Sequence, residues 1–137
     1  MIYNYIMEIL KRYVTDIAKE LDINEMNLKE SSMRAPARKH FWVSKLISHK
    51  IELNTLKKTK DSIMKALVEK ASNASPVGLS KTSLEKSIEN TEEIKKINDD
   101  LKEHESIIEY LEKVEKIYSS ITYDIKNMIQ MTSMEQM

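Results

Sequence analysis

The chain has no cysteine, one glycine, two prolines, one tryptophan and one phenylalanine in 137 residues. Without cysteine there is no disulfide, no thiolate metal site and no thiol nucleophile, which suits a reducing compartment. One glycine cannot build a Gly-rich phosphate cradle, so the usual nucleotide-binding loops are excluded. Scarce Gly and Pro, with 32% charged residues, argue against a turn-rich sandwich or barrel and for an all-α protein. No run approaches the ~18 apolar residues of a membrane-spanning helix. The start, Met1 to Arg12, has no basic leader region and meets Glu8 before any long apolar run. The expectation is a cytoplasmic protein with no membrane partner.

Net charge is also lacking, with 22 bases against 22 acids, but the charge is segregated along the chain. Residues 34–70 hold ten Lys or Arg against Glu52, Asp61 and Glu69, for +7. Residues 81–116 hold seven bases against eleven acids, for −4. Such separation means either that the two segments pair within the molecule or that a basic face stands free.

Hydrophobic spacing places the helices. Ile2, Ile6, Ile9, Leu10, Tyr13, Val14, Ile17 and Leu21 form one stripe, so residues 2–20 read as a helix. Asp22 with Glu25 has capping-box spacing, and a short helix over 23–32 should end before Pro36. Proline is tolerated in a first turn, so a long basic helix is expected over 36–72. Its seam, Trp42, Leu46, His49, Leu53, Leu56, Lys60, Ile63 and Leu67, steps alternately by four and three as in a coiled coil. Residues 72–78 contain Pro76 and Gly78 and read as a turn. Thr82 with Glu85 should cap an acidic helix over 83–118, folding back antiparallel on the basic one. Ser119 to Tyr123 should interrupt it before a short last helix near 124–134. This divides the chain into a helical domain, 1–118, with the basic and acidic helices, and a C-terminal helical segment, 119–137. An elongated subunit with so thin a middle should complete its core by self-association.

Few residues offer chemistry. His40, His49 and His104 lack metal-ligand spacing, and no acid–base pair stands out among the carboxylates. No catalytic residue, no metal and no cofactor is therefore expected, and the chain reads as a non-enzyme. The basic stretch is the one functional candidate, because Lys and Arg track phosphates while rings stack on bases. Its candidate DNA-binding residues are Arg34, Arg38, Lys39, Trp42, Lys45, Lys50, Lys57, Lys58, Lys60 and Lys65. The alternative is a structural coiled-coil adaptor or scaffold with no nucleic-acid role, in which these bases pair with the acidic helix.

Several ordered elements resemble the UvsY family, the recombination mediators of T-even and related phages. Ile23, Asn24, Glu25, Met26, Asn27 and Leu28 are similar to the family's I-D-x-x-x-L. Pro36 stands six residues before Trp42, and Trp42, Lys45, Ser48, Lys50 and Glu52 follow a W-x-x-K-x-x-S-x-K-x-E pattern. A lysine run and a K-A-R element come next, here Lys65-Ala66-Leu67, with Leu67 where the family has Arg. Tyr123, Ile125, Lys126 and Ile129 match an aromatic-x-I-K-x-x-I ending. The resemblance implies a non-enzymatic, ring-like homo-oligomer of six or seven subunits in the host-cell cytoplasm. It would bind single-stranded DNA and help load a RecA-like recombinase onto DNA covered by single-strand-binding protein, in recombination, repair and recombination-dependent replication. It assigns assembly to Tyr123, Ile125, Met128, Ile129 and Met131, and a DNA contact to Lys65.

Overall fold

The computed structural model describes the backbone of residues 2–74 and 80–135, with side chains from residue 7 onward in those ranges. Among them are four helices and no strand: α1 (Ile2–Glu20), α2 (Leu28–Ala74), α3 (Lys81–Glu89) and α4 (Glu92–Glu135). The all-α expectation holds, and the two long helices pack on each other. They run antiparallel: Arg38 of α2 and Tyr118 of α4 meet on one carboxylate, while farther along α2 His49 meets His104.

The helix boundaries differ from those the sequence predicts. Asp22 and Glu25 do not cap; the turn is built by two asparagines instead. Asn24 Oδ1 accepts from the backbone N–H groups of Met26 and Asn27, and Asn27 Oδ1 accepts from that of Asn24. The helix then runs unbroken through Pro36. Proline removes the bond to the carbonyl four residues back and ordinarily ends or kinks a helix. Here Pro36 is exposed while the adjacent Ala35 and the earlier Leu28 are buried. With Trp42 buried beyond it, packing holds the helix on both sides of the proline. At 1.5 Å per residue, the 47 residues of α2 span about 70 Å.

Thr82 is not a cap either. Ser80 is, accepting from the Ser83 N–H and bonding the Ser83 hydroxyl. The expected acidic helix is two helices, because Asn90 ends α3 and the Thr91 hydroxyl donates to the Ile88 carbonyl at 2.7 Å. Glu92 and Glu93 then occupy the first turn of α4, where the helix dipole favours acids. At the other end α4 continues through 119–123 to Glu135, with no break before a terminal helix. The Ser119 and Ser120 hydroxyls donate back to the carbonyls of Glu115 and Ile117, which satisfies them without leaving the helix. Most of the turn expected at 72–78 lies outside the described residues.

The core lies where α1, α2 and α4 meet. It comprises Ile17, Trp42, Leu46, Ile107, Ile108, Leu111, Val114 and Tyr118. On α4, His104, Leu111, Tyr118 and Ile125 recur every seven residues and are all buried. Beyond His49 the α2 seam is only half-buried, at Leu53, Leu56, Lys60, Ile63 and Leu67.

One carboxylate ties the three helices. Glu20, the last residue of α1, accepts two hydrogen bonds of 2.7 Å from Arg38, one from Trp42 Nε1 at 3.1 Å and one from Tyr118 at 2.6 Å. Burial opposes the charge on Glu20, but the bonds from Arg38, Tyr118 and Trp42 outweigh it and hold its carboxyl below the usual value of 4.5. Burial, together with the bond to Glu20, pushes the Tyr118 hydroxyl up. The depressed carboxyl contributes stability that is complete above the unfolded value and is lost as pH falls through the folded one. Glu20→Gln should therefore cost about 2–3 kcal/mol at neutral pH. It should also flatten the stability loss between neutral pH and about pH 3. Urea unfolding of both proteins across that range checks this, and parallel curves would refute it.

Candidate nucleic-acid interface

Helix α2 carries all ten bases of the +7 segment, and few of them are paired. Arg34 reaches Glu30 at 2.8 Å on its own helix, Arg38 is held by Glu20, and Lys50 lies 3.7 Å from Glu112 of α4. Among the described residues, Lys39, Lys45, Lys57, Lys58, Lys60, Lys65 and Lys70 have no carboxylate within 4.0 Å. Lys57, Lys58, Lys65 and Lys70 are exposed, whereas Lys39, Lys45 and Lys60 are half-buried.

The bases do not share one strip. At about 100° per residue, Lys39, Lys50 and Lys57 fall on one flank of the seam, and Arg34, Arg38 and Lys45 on the other. Lys58 and Lys65 lie toward the back, and Lys60 lies on the seam itself. Helix periodicity, which spaced the apolar seam, therefore also disperses the charge.

Trp42 is not available to stack on a base. It is 2% exposed, packs edge-on against Tyr13 with ring centroids 5.2 Å apart, and donates its indole N–H to Glu20. The ring at the surface is its neighbour, Phe41, since adjacent helix positions point about 100° apart. Phe41 is exposed, with the Arg38 guanidinium 4.4 Å and the Lys45 ammonium 5.4 Å from its ring centroid. A groove between α1 and α2 gathers Arg12 and Lys19 beside Arg38, Phe41 and Lys45, along with Asp16 and Glu20. Sequence charge alone hid Arg12 and Lys19, because they belong to an N-terminal segment of net negative charge. The seam phase, which turns Trp42 inward, was the signal that could have found Phe41.

The expected assembly residues divide in the same way. Tyr123 is 69% exposed and Met131 63%, with Met128 and Ile129 also exposed. Ile125 is 1% exposed, because it continues the seven-residue seam of α4 into the chain's own fold.

The histidines that lack ligand spacing in sequence meet in space. His49 of α2 and His104 of α4 are both buried, with their Nδ1 atoms 3.4 Å apart. The Glu52 Oε2 atom lies 3.9 Å from the first and 3.8 Å from the second, and Tyr13 Oη lies 3.0 Å from His49 Nε2. Burial lowers the His49 pKa; Glu52 pulls it up, while His104 and Lys45 push it further down. Asp100, one turn before His104, is also buried, and burial raises its pKa against the pull of His104.

Compared with known proteins, the chain matches no family model, no curated protein and no solved structure. No described helix is long and apolar enough to cross a membrane.

The two neighbouring aromatics should separate cleanly on substitution. Trp42→Ala should cost about 3–5 kcal/mol of stability. Phe41→Ala, which removes a partly exposed ring resting on Trp42, should lower the melting transition far less. If α2 is a single-strand surface, it should also weaken oligonucleotide binding by about 1–3 kcal/mol, the usual worth of one stacked base. Thermal unfolding and fluorescence anisotropy on the same variants check this.

Proposed function

We propose that this protein is a recombination mediator: it binds single-stranded DNA through α2 and helps load a RecA-like recombinase onto DNA covered by single-strand-binding protein. The observation that carries this reading is the set of seven α2 lysines with no carboxylate partner. A coiled-coil adaptor without a nucleic-acid role would spend these charges on the acids of α3 and α4. Among the described residues only Lys50 does so, at 3.7 Å from Glu112. The groove around Phe41 adds a ring flanked by cations, the combination that holds unpaired bases without regard to sequence. The ordered resemblance to UvsY supplies the biological setting.

In this reading DNA engages the groove at Arg12, Lys19, Phe41 and Lys45, while Lys57, Lys58 and Lys65, on other faces of α2, make separate phosphate contacts. No step needs an acid, a base or a nucleophile, so the protein acts by binding and not by catalysis. Dispersed lysines on one subunit give weak binding. A ring that repeats them multiplies the local concentration of sites and gives avidity without stronger single contacts. Tyr123, Met128, Ile129 and Met131 supply an apolar surface at the end of α4 for that assembly.

Two measurements test the proposal. Replacing Lys57, Lys58, Lys60 and Lys65 together by Ala should weaken single-strand binding while helicity stays the same. The log–log salt slope should flatten by about 0.7 for each lysine that contacts a phosphate. Unchanged affinity and slope would remove these residues from the interface. Ile129→Glu with Met131→Glu should reduce the assembly to smaller species in light scattering and weaken DNA binding in parallel. Retention of the wild-type mass would separate assembly from this surface.

A further inference from the structure

Where α2 crosses α4, the seam is occupied not by an apolar pair but by two buried imidazoles. Two neutral imidazoles can face each other at 3.4 Å only if one Nδ1 carries the proton and the other accepts it. The third member, Glu52, stands three residues from His49 on α2, hence on the same helix face. Its side chain is 61% exposed, so the cluster is dry on one side and open to solvent at the carboxylate. These three residues offer donor atoms that lie within 4.8 Å of one another.

The triangle has the dimensions of a metal site. Its edges are 3.4, 3.8 and 3.9 Å. An ion at its centre would lie about 2.1 Å from each atom, the usual length of Zn–N and Zn–O bonds. A tetrahedral ion asks for donor separations of about 3.3 Å, so only a small contraction is required. The outer contacts fit as well. A metal on His49 Nδ1 leaves Nε2–H to donate, and the Tyr13 hydroxyl is 3.0 Å away to receive it. Two imidazoles and one carboxylate suit a borderline ion and not a hard one, which would want oxygen throughout.

We propose that His49, Glu52 and His104 bind one Zn2+-class ion per chain, with the fourth position open to water. The ion would join α2 to α4, with α1 supporting it through Tyr13. The site is independent of the DNA-binding reading and can fail or stand without it.

The test uses the full chain, stripped with a chelator and titrated calorimetrically with Zn2+, then with Co2+ followed by visible absorption. The proposal expects one ion per chain, a tetrahedral-type Co2+ spectrum and a higher melting temperature with Zn2+ but not with Mg2+. Glu52→Gln alters an exposed side chain and keeps the fold, yet it should weaken Zn2+ binding by at least about tenfold. His104→Gln should abolish the Co2+ spectrum, with helicity checked by circular dichroism. His40→Gln, exposed and outside the cluster, should change nothing. Absence of saturable Zn2+ binding would overturn the proposal. So would wild-type affinity in both Glu52→Gln and His104→Gln, because any bound metal would then sit elsewhere.

Discussion

The Glu20 carboxylate decides how the three helices are fixed to one another. Long amphipathic helices can slide by a turn with little change in apolar contact, since their seams repeat. A charged group with several fixed donors cannot slide. Glu20 ends α1, and it binds Arg38 and Trp42 of α2 and Tyr118 of α4. A carboxylate with so many partners is costly to bury but far costlier to leave half-paired. Its position sets which residues of α2 face which residues of α4. It also immobilises Arg38, which then holds the Phe41 ring at the surface.

How much of this was legible in the sequence follows from the range of each signal. Seven-residue periodicity is repeated many times, so the two long helices, their seam and the all-α class could all be read. Boundaries depend on single residues and local competition. Pro36 and the serines near 120 disfavour helix intrinsically, and packing on both sides overrides them. Asn90 and Thr91, which carried no clear breaking signal, end one helix and start another. Capping boxes at 22–25 and 82–85 had the right spacing but lost to nearby Asn24, Asn27 and Ser80. Contacts across the fold left no trace at all: His49 and His104 are 55 residues apart, and Glu20 and Tyr118 are 98. The same gap explains the site residues. Composition marks a basic, aromatic stretch, but only the phase of the seam sends Trp42 and Ile125 inward and leaves Phe41 at the surface.

Charge and shape are linked in this chain. The bases of α2 are spread over both flanks because the seam has first claim on the helix face. Intramolecular pairing takes up Arg34, Arg38 and Lys50 and leaves the rest without a carboxylate partner. Neutrality of the whole chain is therefore no guide to its surface. It limits the long-range attraction of one subunit for a polyanion, which is why repetition of the subunit matters to the proposed activity.

The His49–His104 layer divides the molecule into two mechanically different parts. On one side α1, α2 and α4 enclose a core that contains Ile17, Trp42, Leu111 and Tyr118. On the other, α2 continues as an arm against α3 and the start of α4, and its seam residues from Leu53 to Leu67 stay half-buried. Lys57, Lys58, Lys60 and Lys65 all ride on that arm. The arm is covered on one side only, where Leu84, Ile88, Ile94 and Leu101 are buried against it while its own seam stays half-buried. The strength of the polar layer at its base thus governs how rigidly the lysines are presented. The bare imidazole pair contributes one modest hydrogen bond there, whereas an ion shared by His49, Glu52 and His104 would clamp the two helices at the point where the arm leaves the core.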